Sequence, residues 1–318
     1  MKPNFENINS NLPLITEATP NVFTENSEAY LEFYNLNTSN QNIEHSFGVF
    51  ESHGLRLAAH IYKPQNYKAT YFVLHGYLDH CGMLSKLIGE LLKNNFAVAT
   101  FDLPGHGISE GEKCEIENFI QYADALSDFL RTTKPILNSP YNFIGHSTGA
   151  SAMMELLLSK REIDFERIIL AAPLIRCAQW KKSRLGYTFE IPFIKSVPRM
   201  FRKNSSDEAF LSFIKDNDPL QTRFVPLSWV SALHKWNDRI ETLPASLQRV
   251  EILQGCCDKI VDWQYNMMFI QRKFPHAEIN IIENANHELF NESKKIRKDV
   301  FRLVIGEKKG VHRKMLAV

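Results

Sequence analysis

The chain has little cysteine and arranges it poorly for structural use. Its five cysteines, Cys81, Cys114, Cys177, Cys256 and Cys257, are odd in number and show no C-x-x-C spacing. They suggest neither a disulfide framework nor a thiolate metal site, and they fit a reducing compartment. An excess of charge is also missing. Lys and Arg total 37 against 36 Asp and Glu, a net charge of +1, so no basic surplus draws the chain to nucleic acid. No apolar run approaches the length of a membrane span. The opening Met1-Lys2-Pro3-Asn4-Phe5-Glu6-Asn7 lacks the apolar core of a secretory signal, so a cytoplasmic location is expected. No repeat or low-complexity tract interrupts the sequence.

What the chain does have is a core's worth of apolar residues, 44% of 318, with a regular rhythm through most of its length. Residues 1–43 are rich in Asn and Ser around Ala29-Tyr30-Leu31-Glu32-Phe33-Tyr34, and read as an irregular leader that docks in places. Two apolar runs at 47–50 and 55–62 flank Ser52-His53-Gly54 and predict a β-hairpin. Short strand-like runs follow at 71–74, 96–99, 141–144, 168–171, 250–253 and 279–282. Helical periodicity alternates with them at 83–93, 119–131, 150–160, 263–274 and 293–304. Such alternation predicts an α/β fold, a mostly parallel twisted sheet with helices on both faces. The rhythm breaks at 173–243, read as an inserted helical cap between the core segments 44–172 and 244–305, and 306–318 reads as a basic tail.

The most informative run is Gly145-His146-Ser147-Thr148-Gly149, between a strand-like and a helix-like segment. A G-x-S-x-G corner forces its serine into a strained backbone and exposes the hydroxyl, and a Cβ on either glycine would strike the adjoining strand or helix. A serine hydroxyl is a weak nucleophile that needs a base, and the base needs an orienting carboxylate. In this fold both should follow the serine in loops beyond strand C-termini. Asp258 stands directly after the penultimate strand and His287 directly after the last. Asp262 is the fallback acid, expected in the first turn of the next helix. His276 precedes its strand and belongs at the wrong end of the sheet, and His146 should point away from the nucleophile and pack.

An acyl-transfer site also needs backbone N–H donors for the oxyanion. Thr148, at the start of a helix, supplies one, and Tyr77 in His75-Gly76-Tyr77-Leu78-Asp79-His80 supplies the other. His75 and His80 have no third ligand at metal spacing and read as loop hydrogen-bonders, so neither metal nor cofactor is expected.

These runs, together with Asp102-Leu103-Pro104-Gly105-His106-Gly107-Ile108-Ser109-Glu110-Gly111 and His287-Glu288-Leu289, resemble the α/β-hydrolase group of monoacylglycerol lipases and lysophospholipases over about residues 47–305. The resemblance implies a triad of Ser147, Asp258 and His287, an oxyanion donor at Tyr77, and a structural role for Asp102. Two positions depart from the group's pattern. Thr148-Gly149-Ala150 replaces Met-Gly-Gly, and the glycine before the histidine is replaced near Asn284, which bears on pocket shape.

Substrate contacts are expected from residues 173–243. Within 176–203 stand eight basic residues (Arg176, Lys181, Lys182, Arg184, Lys195, Arg199, Arg202, Lys203) and one acidic, Glu190. Trp180, Leu185, Tyr187, Phe189, Ile191, Phe193, Ile194 and Phe201 are interleaved with them. Such a cap suits an anionic lipid surface or a phosphate head group, or else is a packed face with solvated charges. With the resemblance it implies hydrolysis of a single-chain lipid ester, lysophospholipid or monoacylglycerol. A peptidase or acyltransferase of the same fold and a non-catalytic binding protein are the alternatives. A dehalogenase or epoxide hydrolase would need aspartate in place of Ser147.

Overall fold

A computed structural model describes residues 3, 5, 7–16, 24–38, 42–161, 163–188, 195–307 and 313–316, with the backbone alone at 186–188 and 313–316. Phe189, Glu190, Ile191, Phe193, Ile194, Lys308 and Lys309 lie outside the described residues, as do the side chains of Tyr187, Arg313 and Lys314.

The hairpin β1 (Ile43–Ser52) and β2 (Leu55–Pro64) opens a nine-stranded sheet. It continues with β3 (Thr70–Leu74), β4 (Ala97–Phe101), β5 (Tyr141–His146), β6 (Arg167–Ala171), β9 (Glu251–Gly255), β10 (Glu278–Ile282) and β11 (Arg313–Leu316), in the order β1-β2-β4-β3-β5-β6-β9-β10-β11. From β4 to β10 every neighbouring pair is parallel, while the pairs β1–β2, β2–β4 and β10–β11 are antiparallel. The mostly parallel sheet expected from the sequence is present.

Alternate residues of each central strand feed opposite cores, because side chains alternate across a sheet. Phe72 and Leu74 join the core beneath α4 (Ile120–Thr133), α5 (Thr148–Leu158) and α9 (Trp263–Lys273). Tyr71 and Val73 join the one beneath α3 (Ser85–Lys93) and α10 (Lys294–Val304). Burial on both faces explains why these strands read as unbroken apolar runs.

Beyond α1 (Ile8–Asn11), the leader carries a helix, α2 (Glu25–Phe33), where the sequence reads as irregular. Thr24 caps it by accepting from the Ser27 amide, and Glu25 and Glu28 fill its first turn. Tyr30, Leu31 and Tyr34 are buried, and Tyr30 stacks on Phe47 of β1. The tail likewise differs from its reading, since β11 pairs antiparallel with β10 and covers that sheet edge. Between β6 and β9 lie α6 (Trp180–Thr188), α7 (Glu208–Ser212), α8 (Leu227–Thr242) and a two-stranded ribbon of β7 (Ser196–Pro198) and β8 (Phe224–Pro226). Each ribbon strand is three residues long, too short to show a period in sequence.

Candidate active site

Ser147 sits at the corner between β5 and α5 with φ 50° and ψ −108°. A non-glycine residue held there stores strain of order 1–3 kcal/mol, which the surroundings must offset. Two ties do so: the Ser147 amide donates to the Ala171 carbonyl at 2.9 Å, and the Ser147 carbonyl accepts from Ser151 at 3.1 Å. The flanking glycines are there for close approach. A Cβ on Gly145 would lie 2.6 Å from the Ala150 amide nitrogen, and one on Gly149 2.5 Å from the Leu74 carbonyl oxygen.

Asp258 follows β9 and His287 follows β10, adjacent parallel strands, so their loops emerge side by side. His287 Nδ1 lies 2.7 Å from Asp258 Oδ2. Gln254 donates to the same oxygen at 3.1 Å, and Oδ1 accepts from the Ile260 and Val261 amides at 2.8 and 3.2 Å. Burial would raise the Asp258 carboxyl, but His287 and the two amides hold it below its usual range. Burial would lower the His287 imidazole, and the Asp258 carboxylate outweighs it and raises it. Gly255 lets the two loops touch, for a Cβ there would lie 2.2 Å from the Asn286 carbonyl oxygen. Asp262 stands just outside the helix expected to hold it: it is the N-cap of α9 and accepts from the Tyr265 amide.

Ser147 and His287 line one cavity of about 350 Å³, with Gly76, Tyr77 and Asp79. Thr148 is the first residue of α5, so its amide has no acceptor within the helix. The loop holding Tyr77 is fixed from above and below. Trp229 of α8 stacks on the Tyr77 ring at 3.6 Å, and the Tyr77 hydroxyl donates to the Cys114 carbonyl at 2.8 Å. His75 accepts from the Leu103 amide through Nε2 at 2.9 Å, which leaves Nδ1–H to donate to the Gly76 carbonyl at 2.7 Å. Asp102 accepts from the Cys81 and Ile108 amides at 2.6 and 3.0 Å and serves its loop.

The segment at 173–243 supplies the cavity's apolar walls, among them Leu174, Val197, Met200, Phe201, Ile214 and Trp229, together with Arg199 and Arg202. Asp79 and Glu288 face the same space. Burial, reinforced by Glu288, pushes the Asp79 carboxyl well above its usual range. His146, His287 and Glu288 bring one ligand atom each within 4.8 Å of one another, the grouping of metal-ligand types among the described residues.

Three supports leave no mark in the sequence. His146 Nε2 lies 3.0 Å from the main-chain oxygen of His287. Fully buried Glu292 accepts at Oε1 from the Asn286 amide and side chain, at 2.5 and 2.9 Å. Its Oε2 accepts from the Ser206 amide at 2.8 Å, joining the His287 loop to the inserted segment. Asp218 of that segment accepts from the Tyr34 hydroxyl at 2.7 Å and from His80 Nε2 at 3.1 Å. The Gly82 amide donates to His80 Nδ1, so Nε2 carries the proton.

Residues 65–294 match the family described as serine aminopeptidase, S33. The chain is 32% identical over 275 residues to a monoglyceride lipase of Rattus norvegicus, covering 83% of this chain and 89% of that one. It is 25% identical over 247 residues to phospholipase YtpA of Bacillus subtilis, covering 74% and 92%. In fold it matches a soluble variant of monoglyceride lipase from Saccharomyces cerevisiae with a TM-score of 0.70 at 18% identity, over 87% of this chain and 98% of that one.

Proposed function

This chain belongs to the serine aminopeptidase S33 family of α/β-hydrolases, and within it we propose that it hydrolyses carboxylic esters of single-chain lipids, lysophospholipid or monoacylglycerol, through an acyl-enzyme on Ser147. One observation carries the reading: a serine in a strained corner shares an apolar-walled cavity with a histidine that is hydrogen-bonded to a buried aspartate. Its similarity to a monoglyceride lipase and a phospholipase supports the ester class.

In the mechanism, Asp258 holds Nδ1–H of His287 and so leaves Nε2 as the basic nitrogen. Nε2 takes the Ser147 proton as the oxygen attacks the ester carbonyl. The Thr148 and Tyr77 amides receive the oxyanion, where losing one donor costs about 10²–10³ in rate. The imidazolium returns its proton to the leaving alcohol, and the neutral imidazole then takes a proton from water, which attacks the acyl-enzyme and releases the fatty acid. The acyl chain lies along the walls contributed by residues 173–243, which act as a cap. Exposed Leu185, Met200 and Phe224 on that segment, beside its arginines and lysines, support peripheral contact with an anionic membrane surface.

A peptidase would hold a free amine with carboxylates. Asp79 and Glu288 are the candidates, but Arg199 lines the same cavity and already answers part of their charge. The test is a panel of lysophosphatidylcholine, lysophosphatidylethanolamine, monoacylglycerol, short aryl esters and aminoacyl amides, with Ser147→Ala as the blank. Turnover of the single-chain lipids that vanishes in the blank is expected. Preference for the amides overturns the substrate class, and turnover by Ser147→Ala overturns the acyl-enzyme.

A further inference from the structure

Directly before Asp258 stand two adjacent cysteines whose sulfurs lie 3.7 Å apart. Cys257 is exposed and Cys256 half-buried, whereas Cys81 and Cys114 are buried. Neither thiol takes part in the acyl transfer. We propose that Cys256 and Cys257 form a vicinal dithiol that closes to a disulfide by exchange with a small-molecule disulfide such as oxidised glutathione, and that closure draws Asp258 away from His287.

The chemistry balances. The Cys257 thiolate attacks one sulfur of the small disulfide and expels one small thiolate. The Cys256 thiolate then attacks the Cys257 sulfur of the mixed disulfide and expels the second. The chain gives up two protons and two electrons, and both leave on the small thiols. Trivalent arsenicals meet the same pair differently: an arsenoxide takes both thiols and releases one water, with no change of oxidation state.

The geometry makes the bond a labile one. Adjacent Cα atoms lie about 3.8 Å apart across a trans peptide, below the roughly 4.4–6.8 Å that disulfides prefer. Closure must therefore twist the Cys256–Cys257 peptide, and a strained disulfide is readily reduced. The pair suits a reversible switch better than a permanent staple.

The twisted peptide has two attachments. The Cys256 amide donates to the Ile282 carbonyl at 3.1 Å and the Cys257 amide to the Ala285 carbonyl at 2.9 Å, both on the strand and loop that lead to His287. The next residue is Asp258, whose 2.7 Å contact sets the imidazole. A displacement near 1 Å at such a site costs on the order of 10²-fold in rate. Slight desolvation and the neighbouring Cys256 sulfur hold the Cys257 thiol up, so exchange quickens as the pH rises.

The effect on activity rests on the proposed role of Asp258, while the bond itself does not. The full chain is treated with oxidised glutathione and followed by intact mass and peptide mapping. Fluorophosphonate labelling of Ser147 is measured alongside, before and after dithiothreitol. The expected product lacks two hydrogens, maps to Cys256 and Cys257, labels on the order of 100-fold more slowly, and recovers on reduction. Phenylarsine oxide should add once to the native chain and not to Cys256→Ser or Cys257→Ser; both variants should label normally when untreated, and with oxidised glutathione the one remaining thiol should at most carry a mixed disulfide, with no loss of two hydrogens. An unchanged mass, a mixed disulfide that persists on either cysteine, or closure without slower labelling would overturn the proposal. Failure of the untreated chain to label at all would count against the hydrolase reading, and the mass would still decide the dithiol.

Discussion

His146 Nε2 lies 3.0 Å from the main-chain oxygen of His287, so the residue beside Ser147 steadies the loop that carries His287. A carbonyl only accepts, which fixes the proton on Nε2 of His146. Burial lowers this imidazole, leaving Nδ1 bare, 3.8 Å from the Asp79 carboxyl. His146→Ala should cost about 1–3 kcal/mol in stability and lower kcat with little change in KM, while His146→Gln, which keeps a donor, should recover part of both. Denaturant melts and steady-state kinetics test this, and an alanine variant with unchanged kcat would remove the positioning role.

The strain at Ser147 predicts a trade of stability for activity. Ser147→Gly should end turnover yet gain about 1 kcal/mol, because relief of strain outweighs glycine's added chain entropy. Thermal melting of the variant checks it. A lower Tm than that of the native chain would mean that the corner holds no net strain.

The pH dependence comes from the Asp258–His287 pair. In the proposed mechanism His287 is the base and works when neutral, so kcat/KM should rise with pH along a limb whose midpoint lies above the ordinary histidine value of about 6.5, since Asp258 raises His287. Asp258→Asn should move that limb to lower pH and cut kcat by about 10⁴. The stability signs are opposite for the two partners. His287, raised by folding, stabilises below its unfolded pKa and loses that contribution as pH rises through its folded one. Asp258, lowered by folding, stabilises above its unfolded pKa and loses that contribution as pH falls through its folded one. The pair therefore contributes most between roughly pH 4 and 6.5, which urea melts across that range will show.

Glu292 gathers donors from the loop before His287 and from the inserted segment. Glu292→Ala strands them in a buried place and should cost about 3 kcal/mol or more. It should also lower kcat, because Asn286 adjoins His287. Glu292→Gln, which turns donors toward donors on one side, should fall between. Native stability in the alanine variant would contradict this role.

Features governed by local rules are legible in the sequence. The six central strands read correctly because each is a short, mostly apolar run, and five helices because each carries an apolar period; α8, at 16 residues the longest, falls in the segment read only as a cap. Ser147 stands out because G-x-S-x-G is a steric necessity at its corner, and both glycines do sit against backbone. Asp258 and His287 come from counting strands, and the 2.7 Å bond between them is a consequence of parallel pairing. Long-range side-chain partners are not legible. The sequence places His146 in packing away from the nucleophile, and nothing local says that it reaches a carbonyl 141 positions later. Glu292 looks like one more surface acid in a polar stretch. Gly255 is the available signal for the close approach of the two loops. α2 escapes notice because Glu25, Asn26, Ser27, Glu28 and Glu32 leave it only a sparse apolar stripe.

Tyr34 reaches Asp218 from the far end of the sequence, and His80 meets the same carboxylate. These two contacts hold Asp218 below its usual range against the burial that would raise it. Trimming the first forty residues as dispensable would therefore unlatch the roof of the cavity at one corner. A shortened chain could keep every group of the reaction centre and still grip its substrate poorly.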